Sequence, residues 1–532
     1  MKRLFYVIFV IVLIGSVMLT EGMGTASALQ ADKVLRIGMK NLPSNLDPAV
    51  VSDAGSITTI KGLYEGLFRL NSSGIAVPAV AKSWSLSKDG RTYTFTLRAD
   101  AKWSNGQQVT ASDFEYAWKR ALSPADDNDS IYSYTMFVIN NAEQYYQGTL
   151  KNPSSVGIKA LNSTTLQVTL KEKSSYFIQM LADCTYFPVY SKIAKSNSKW
   201  ASNISTMVTN GPYKLKEWKS NGISLVKNPI YYAAKEIKFS EVQLLWQDNP
   251  TTAFINDEID WAGNGGAYET LDYAALDNKP NLVIRKAADS TAYFYHFNVN
   301  KPPFNNLKIR KALSMAINRE GLNFGHPAFG FVPLSIHGTK FNFRSEVSDR
   351  AYFEEDVAAA KELLKEGLRE AGLIKLPTFS IIVNKSSLHE DIAANVIKDW
   401  RENLGIEASI EVQSFEELLD NRDDQNYAIA RGSWTADYND PYTMLNLFSS
   451  QSGSNYTGWS NTQYDRYLQQ ANQVTDPAKR IQFFASAEKI LMDQMVMIPL
   501  FYAEIEYLSN PNVQNVYIDY DGSIAFTRGS WR

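Results

Sequence analysis

"LYEGLFRLNSSGIAVPAVAKSWSLSKDGRTYTFTLRADAKWSNGQQVTASDFEYAWKRALSP", Leu63 to Pro124, carries one clean periodicity at its centre. In "TYTFTLR" the residues Tyr93, Phe95 and Leu97 alternate with threonines, the period of two that marks a half-buried strand. "TLQVTL" repeats the pattern further along with Leu166, Val168 and Leu170. Beyond these strands the period changes. Val357, Ala360, Leu364, Leu368 and Ala371 form one helical stripe, and Gly372 stands where a C-terminal cap belongs. A second helix is predicted from "TDPAKR", with Thr475 or Asp476 as cap, Pro477 in the first turn, and Phe484, Ala487 and Leu491 on one face. The chain therefore reads as mixed α/β. It contains no internal repeat, low-complexity tract or long linker, so its domains are joined by short crossings.

Composition narrows the function classes. A length of 532 residues accommodates two to four domains, and 45% hydrophobic with 20% charged residues is ordinary for a globular protein. With 53 basic and 56 acidic residues the net charge is −3, too small to favour nucleic acid or anionic lipid. The aromatic share of 12% suits a recognition surface. At the N-terminus Lys2 and Arg3 precede an apolar run from Leu4 to Ile14, and Ala26 and Ala28 follow as small residues, the pattern of a signal peptide over 1–28. Gly15 and Ser16 interrupt the run before it reaches spanning length. The single cysteine, Cys184, leaves no partner for an internal disulfide and no lipid-anchor cysteine after the leader, so the expected product is soluble, outside the cytoplasmic membrane, and starts near Leu29. The four histidines, His296, His326, His337 and His389, are scattered, and no nucleophile elbow, phosphate loop or metal cluster is visible. Neither an enzyme nor a cofactor is expected.

The opening stretch, "NGPYKLKEW" (Asn210 to Trp218), "KNPIYY" (Lys227 to Tyr232), "NKPPFNNLKIRKALSMAINRE" (Asn300 to Glu320) and "ARGSWTADYNDPYTMLNLF" (Ala430 to Phe448) together resemble the extracellular solute-binding proteins of family 5, the oligopeptide-binding proteins of peptide ABC transporters. The resemblance covers nearly all of the mature chain. It implies an α/β, two-lobed, hinged fold of the type II periplasmic-binding-protein kind, with an additional domain inserted in the first lobe. Carried over, the first lobe takes 29–64, 190–290 and 503–532, the insertion 65–189 and the second lobe 291–502. Trp103 and Asn105 in "AKWSNG" then belong to the insertion and not to the binding site.

Within "GSWTADYNDP" a carboxylate, Asp437, lies between Trp434 and Tyr438, where exclusion of water would make it costly unless a cation satisfies it. The resemblance implies that this cation is the free α-ammonium of a bound peptide; an Asx-rich turn with exposed acids is the plainer alternative, and Asp440, before Pro441, keeps that turn reading. The backbone of Gly432 to Thr435 would flank the peptide on one side, and "SDAG", Ser52 to Gly55 with Ala54, on the other, in the manner of an added strand. Pocket walls would draw on Phe415, Trp434, Tyr293, Phe294, Tyr295 and Tyr502, each equally at home in a core. Because "AYFYHF" alternates, Phe294 and His296 face away from Tyr293 and Tyr295, and only one pair is expected in the pocket. For the peptide carboxylate the resemblance offers Arg431, Arg422 and His389. A surface salt bridge for Arg422 and a capping or solvated role for His389 are the alternatives. "GLNFGH", Gly321 to His326, is shorter than the family's segment and lacks its basic residue, and nothing but position puts His326 or Lys340 in its place. Thr291 and Thr435 stand where some relatives carry cysteines.

The function implied is capture of short peptides and delivery to a membrane permease powered by a cytoplasmic ATPase, by a monomer without nucleic acid as partner. Another ligand within the family (murein peptide, nickel chelate, haem) and a secreted peptide-signal receptor are the alternatives.

Overall fold

The computed structural model describes residues 34–124, 130–263, 271–277, 279–338 and 342–532. The expected signal peptide, the start near Leu29 and Lys340 lie outside these residues. The architecture is that of a two-lobed α/β binding protein with a further sheet inserted into the first lobe.

One eleven-stranded sheet runs through both lobes in the order Ala408–Gln413, Phe379–Asn384, Ile429–Thr435, Arg285–Phe297, Met497–Ser509, Trp261–Ala262, Val34–Met39, Glu241–Trp246, Gly222–Lys227 and Tyr213–Lys219. The short pair His326–Pro327 adds to Met497–Ser509 off this path. Arg285–Phe297 and Met497–Ser509, 13 residues each, are long enough to serve both lobes. Their antiparallel ladder joins Arg285 through Ala288 to Tyr507 through Glu504, breaks register, and resumes with Ala292 opposite Tyr502. Asp289, Ser290 and Thr291 fill the break. A ladder without regular pairing at that point resists bending less than an unbroken one.

Each lobe has its own reason to hold together. In the first lobe, Leu35, Ile37 and Leu244 share a continuous buried core with the insertion's Phe95, Trp103, Trp118 and Leu166. The insertion is built on a four-stranded sheet ordered Ala81–Leu86, Thr92–Leu97, Thr165–Thr169 and Ile158–Asn162, in which the expected alternation buries Tyr93, Phe95, Leu97, Leu166 and Val168. Trp103 is fully buried and its indole N–H donates to the Asp113 carboxylate (3.2 Å), which also accepts from the backbone and hydroxyl of Thr110 at the start of the helix Ala111–Ala121. The tryptophan thus reinforces a helix cap. In the second lobe the sheet is covered on both faces. Tyr293, Tyr295 and Trp400 pack on one side, and Phe294, Phe331, Phe448 and Phe484 on the other. The helix Val357–Glu370 buries Ala360 and Leu364 and ends before Gly372 at φ +70°, while Asp476 caps Pro477–Asp493 by accepting from the amides of Ala478 and Lys479.

Candidate functional site

The strand Ile429–Thr435 is paired along its whole length with Thr291–Phe297, but on its other side only Ile429 and Ala430 meet Ile381 and Ile382. From Arg431 to Thr435 that second edge has no ladder partner among the described strands. Unpaired N–H and C=O groups in an extended row are a template for an added strand. Gly432 is buried, and a Cβ there would lie 2.8 Å from both His296 Nε2 and Phe294 Cε2, so only glycine lets these rings pack under the strand. Thr291 and Thr435 face each other in register, and their hydroxyls are 2.7 Å apart.

Asp437 follows the strand and is half-buried. One carboxylate oxygen accepts from the Tyr134 hydroxyl of the insertion, and the other accepts from the Thr443 hydroxyl at 2.8 Å. Thr443 in turn accepts from the Asp437 amide at 3.2 Å. Burial pushes the Asp437 carboxyl above its ordinary value, and the hydrogen bonds from Tyr134 and Thr443 offset this only in part. Both donors are neutral, and among the described residues no lysine or arginine forms an ion pair with it. Asp440 contrasts with it. It caps the helix Pro441–Leu445, in keeping with its turn reading, but instead of being exposed it is buried and held in a fork by Arg480 at 2.5 and 2.8 Å. Beside Asp437, Tyr176 of the insertion stacks on both Tyr438 and Tyr442, with ring centres 5.1 and 5.0 Å away.

The basic residues gather about the other end of the same strand, Arg431 on the strand itself and Arg422 and His389 on the helices Phe415–Asp423 and Ser387–Leu404. Arg431 donates to the Ser433 hydroxyl (2.8 Å) and lies over the Tyr293 ring, while Arg422 lies over Tyr456 with its centre 4.4 Å from the ring. Both arginines are only 8% exposed, and neither forms an ion pair among the described residues. The surface salt bridge considered for Arg422 is therefore absent among those residues. His389, on the helix Ser387–Leu404, approaches the Tyr293 hydroxyl through Nδ1 at 3.2 Å. Burial and the charge of Arg431 lower its pKa to about 4. His296 is more deeply buried, and burial with the fields of Arg422 and Arg431 holds it well below its ordinary value.

The aromatic candidates divide. Trp434 is half-buried and Phe415, at the start of the helix Phe415–Asp423, is 57% exposed. Tyr293, Phe294, Tyr295 and Tyr502 have essentially no accessible surface. The alternation of 293–296 is present, yet neither face of it is open, because the second lobe buries both faces of its sheet. Tyr502 donates to Asp349 (2.9 Å) deep in that lobe. On the first lobe, Ser52 is exposed and Ala54 half-buried, where Asp53 caps the helix Ala54–Leu63. His326 is exposed, on the short strand that pairs with Tyr502. Sequence reasoning missed Tyr134 and Thr443 as donors to Asp437, and His296 as a companion of the arginines. Tyr134 lies 303 positions from its acceptor, so no local motif could have paired them.

Comparison with known proteins agrees with this geometry. Residues 76–456 match the family described as bacterial extracellular solute-binding proteins, family 5 Middle. The oligopeptide-binding protein OppA of Bacillus subtilis is 35% identical over 509 residues, covering 92% of this chain and 91% of that protein. Among solved structures, the periplasmic murein tripeptide-binding protein MppA in its unliganded open form has a TM-score of 0.81 at 28% identity, with 94% of this chain and 97% of the other covered. The peptide-bound OppA of Listeria monocytogenes scores 0.67 at 27% identity, with 94% and 99% covered. The chain belongs to family 5 of the bacterial extracellular solute-binding proteins.

Proposed function

We propose that this protein captures short peptides outside the cytoplasmic membrane by their free amino terminus and delivers them to the permease of an ABC importer, without chemistry of its own. The observation that carries the reading is Asp437: a half-buried carboxylate supplied, among the described residues, with two neutral donors and no cation, just beyond a strand whose edge has no partner among the described strands. A peptide ammonium would supply the missing charge, and the peptide backbone would pair with Arg431 to Thr435. Ser52 and Ala54 would close from the first lobe, Trp434 and Phe415 would line side-chain space, and Tyr293, Phe294, Tyr295 and Tyr502 would act from behind as a rigid floor. Arg431, Arg422 and His389 would receive the carboxylate of a ligand short enough to end there. On this reading the first lobe is 29–64, 190–290 and 503–532, the insertion 65–189 and the second lobe 291–502, with the crossings at the ladder break around Asp289. A leader over 1–28 would export a monomer, and no helix among the described residues is long and apolar enough to cross a membrane.

Calorimetric titration tests the proposal. A free-amine peptide should bind, its N-acetylated form should not, and Asp437→Asn should lose about 2–5 kcal/mol of binding free energy. Equal affinity for acetylated and free peptides would remove Asp437 from its role. Recovery of the peptide intact after binding excludes a hydrolase, and co-purification with a permease separates transport from signalling.

A further inference from the structure

The first lobe holds a second cavity, apart from the cleft. It has a volume of about 390 Å³ and lies between the chain that follows the helix Ala54–Leu63, the segment 515–528 and the start of the insertion. Among the described residues that line it are neither Asp437 nor any member of the strand Ile429–Thr435. One wall is apolar, with Leu70, Phe187 and Ile524, and the other carries Lys61, Asp519, Glu65, Arg69 and Arg528. Lys61 is settled, since its ammonium contacts Asp519 at 2.9 Å and Asp521 at 2.7 Å. Glu65 is not. It is only 5% exposed, and its Oε1 accepts from the Tyr231 hydroxyl at 2.8 Å, whereas its Oε2 has no hydrogen-bond partner among the described residues. Arg69 stands 3.9 Å from Oε1, beyond hydrogen-bond reach, and its buried Nε also lacks a partner among those residues. Arg528 pairs with the exposed Glu236 at 2.5 Å. Burial raises the Glu65 carboxyl above its ordinary value, and Tyr231, Tyr232, Arg69 and Arg528 offset this only in part. A buried carboxylate oxygen without a donor and a buried guanidinium nitrogen without an acceptor each cost free energy.

We propose that this cavity is a second ligand site, for a free α-amino acid with an apolar side chain: Arg69 and Arg528 receive its carboxylate, Glu65 Oε2 accepts from its ammonium, and its side chain lies against Leu70, Phe187 and Ile524. A simple anion would answer Arg69 but crowd Glu65, and a simple cation would do the reverse. A zwitterion answers both. In an α-amino acid the two charges are joined through one carbon, which suits an acid and a base as close as Glu65 and Arg69. Charge-assisted hydrogen bonds of this kind are stronger than those a neutral molecule would offer the same groups. The site stands independently of the reading of the cleft as a peptide site.

Calorimetric titration with L-leucine tests the proposal, and Asp437→Asn serves to silence the cleft. L-Leucine should bind that variant and the unsubstituted protein alike. N-Acetyl-leucine, which lacks the ammonium, and leucinamide, which lacks the carboxylate, should each bind at least about tenfold more weakly. Arg69→Gln and Glu65→Gln should each weaken leucine at least about tenfold and leave the affinity for a free-amine peptide unchanged. Thermal melts check that the variants are folded; if Glu65→Gln is not, Arg69→Gln, at a side chain 35% exposed, carries the test together with the two analogues. No binding of leucine to the folded protein at millimolar concentration overturns the proposal. So does leucine binding that is lost in Asp437→Asn and kept in Arg69→Gln, which would put the amino acid in the cleft. N-Acetyl-leucine or leucinamide binding as tightly as leucine also overturns it, by removing Glu65 or Arg69 from its assigned role.

Discussion

At the scale of single residues the candidate site centres on Asp437, a carboxylate with neutral donors just beyond a strand. The acid was legible from sequence because its aromatic neighbours are adjacent in the chain. Its donors were not, since Tyr134 comes from the insertion and reaches it only through the fold. His389 gives a pH prediction. Its ring is depressed to about 4 in the folded protein, whereas an unfolded histidine titrates near 6.5. As pH falls through 6.5 the unfolded chain takes up a proton that the folded chain refuses, so this contribution to stability is complete above 6.5 and is lost between 6.5 and about 4. Urea unfolding should therefore lose up to about 1.4 kcal/mol per pH unit across that window from this group. His389→Gln should flatten the slope; an unchanged slope would show that the ring titrates normally. His296 acts in the same direction, so the two variants combined should flatten it further.

At the scale of elements, the period-two and helical patterns identified strands and helices well, and the limits of that reading were physical. Alternation at 293–296 assigned faces correctly but could not tell which face was open, because hydrophobic side chains on both sides are equally the mark of a strand buried on both sides. Between Thr475 and Asp476 the sequence offered two caps, and the structure uses Asp476. Asp476→Ala should cost about 1 kcal/mol in urea unfolding, and Thr475→Ala much less. Gly432→Ala belongs to the same scale. Its Cβ would press on His296 and Phe294, with ring atoms at 2.8 Å, and overpacking of this kind typically costs about 1–3 kcal/mol. A melt as stable as the unsubstituted protein would mean that both rings can retreat.

At the scale of the molecule, on the proposed reading the two long strands are the crossings about which one lobe would turn against the other, and a ligand that touches both lobes would favour the closed arrangement. A free-amine peptide should therefore reduce the radius of gyration measured by small-angle X-ray scattering, and the N-acetylated form should leave it unchanged. A peptide that binds without contraction would show that closure is not coupled to capture. The two-lobed arrangement was available from the sequence only through resemblance, since no local periodicity records which strands share a sheet across more than a hundred residues.

The sandwich of Tyr176 between Tyr438 and Tyr442 ties the insertion to the second lobe. On the proposed reading, a fastening at that margin holds the cleft narrowest beside Asp437. A guest would then be gripped by its head first, with its tail left free to trail into solvent. Guests of unequal length would share one grip, and size would be filtered away from that corner alone.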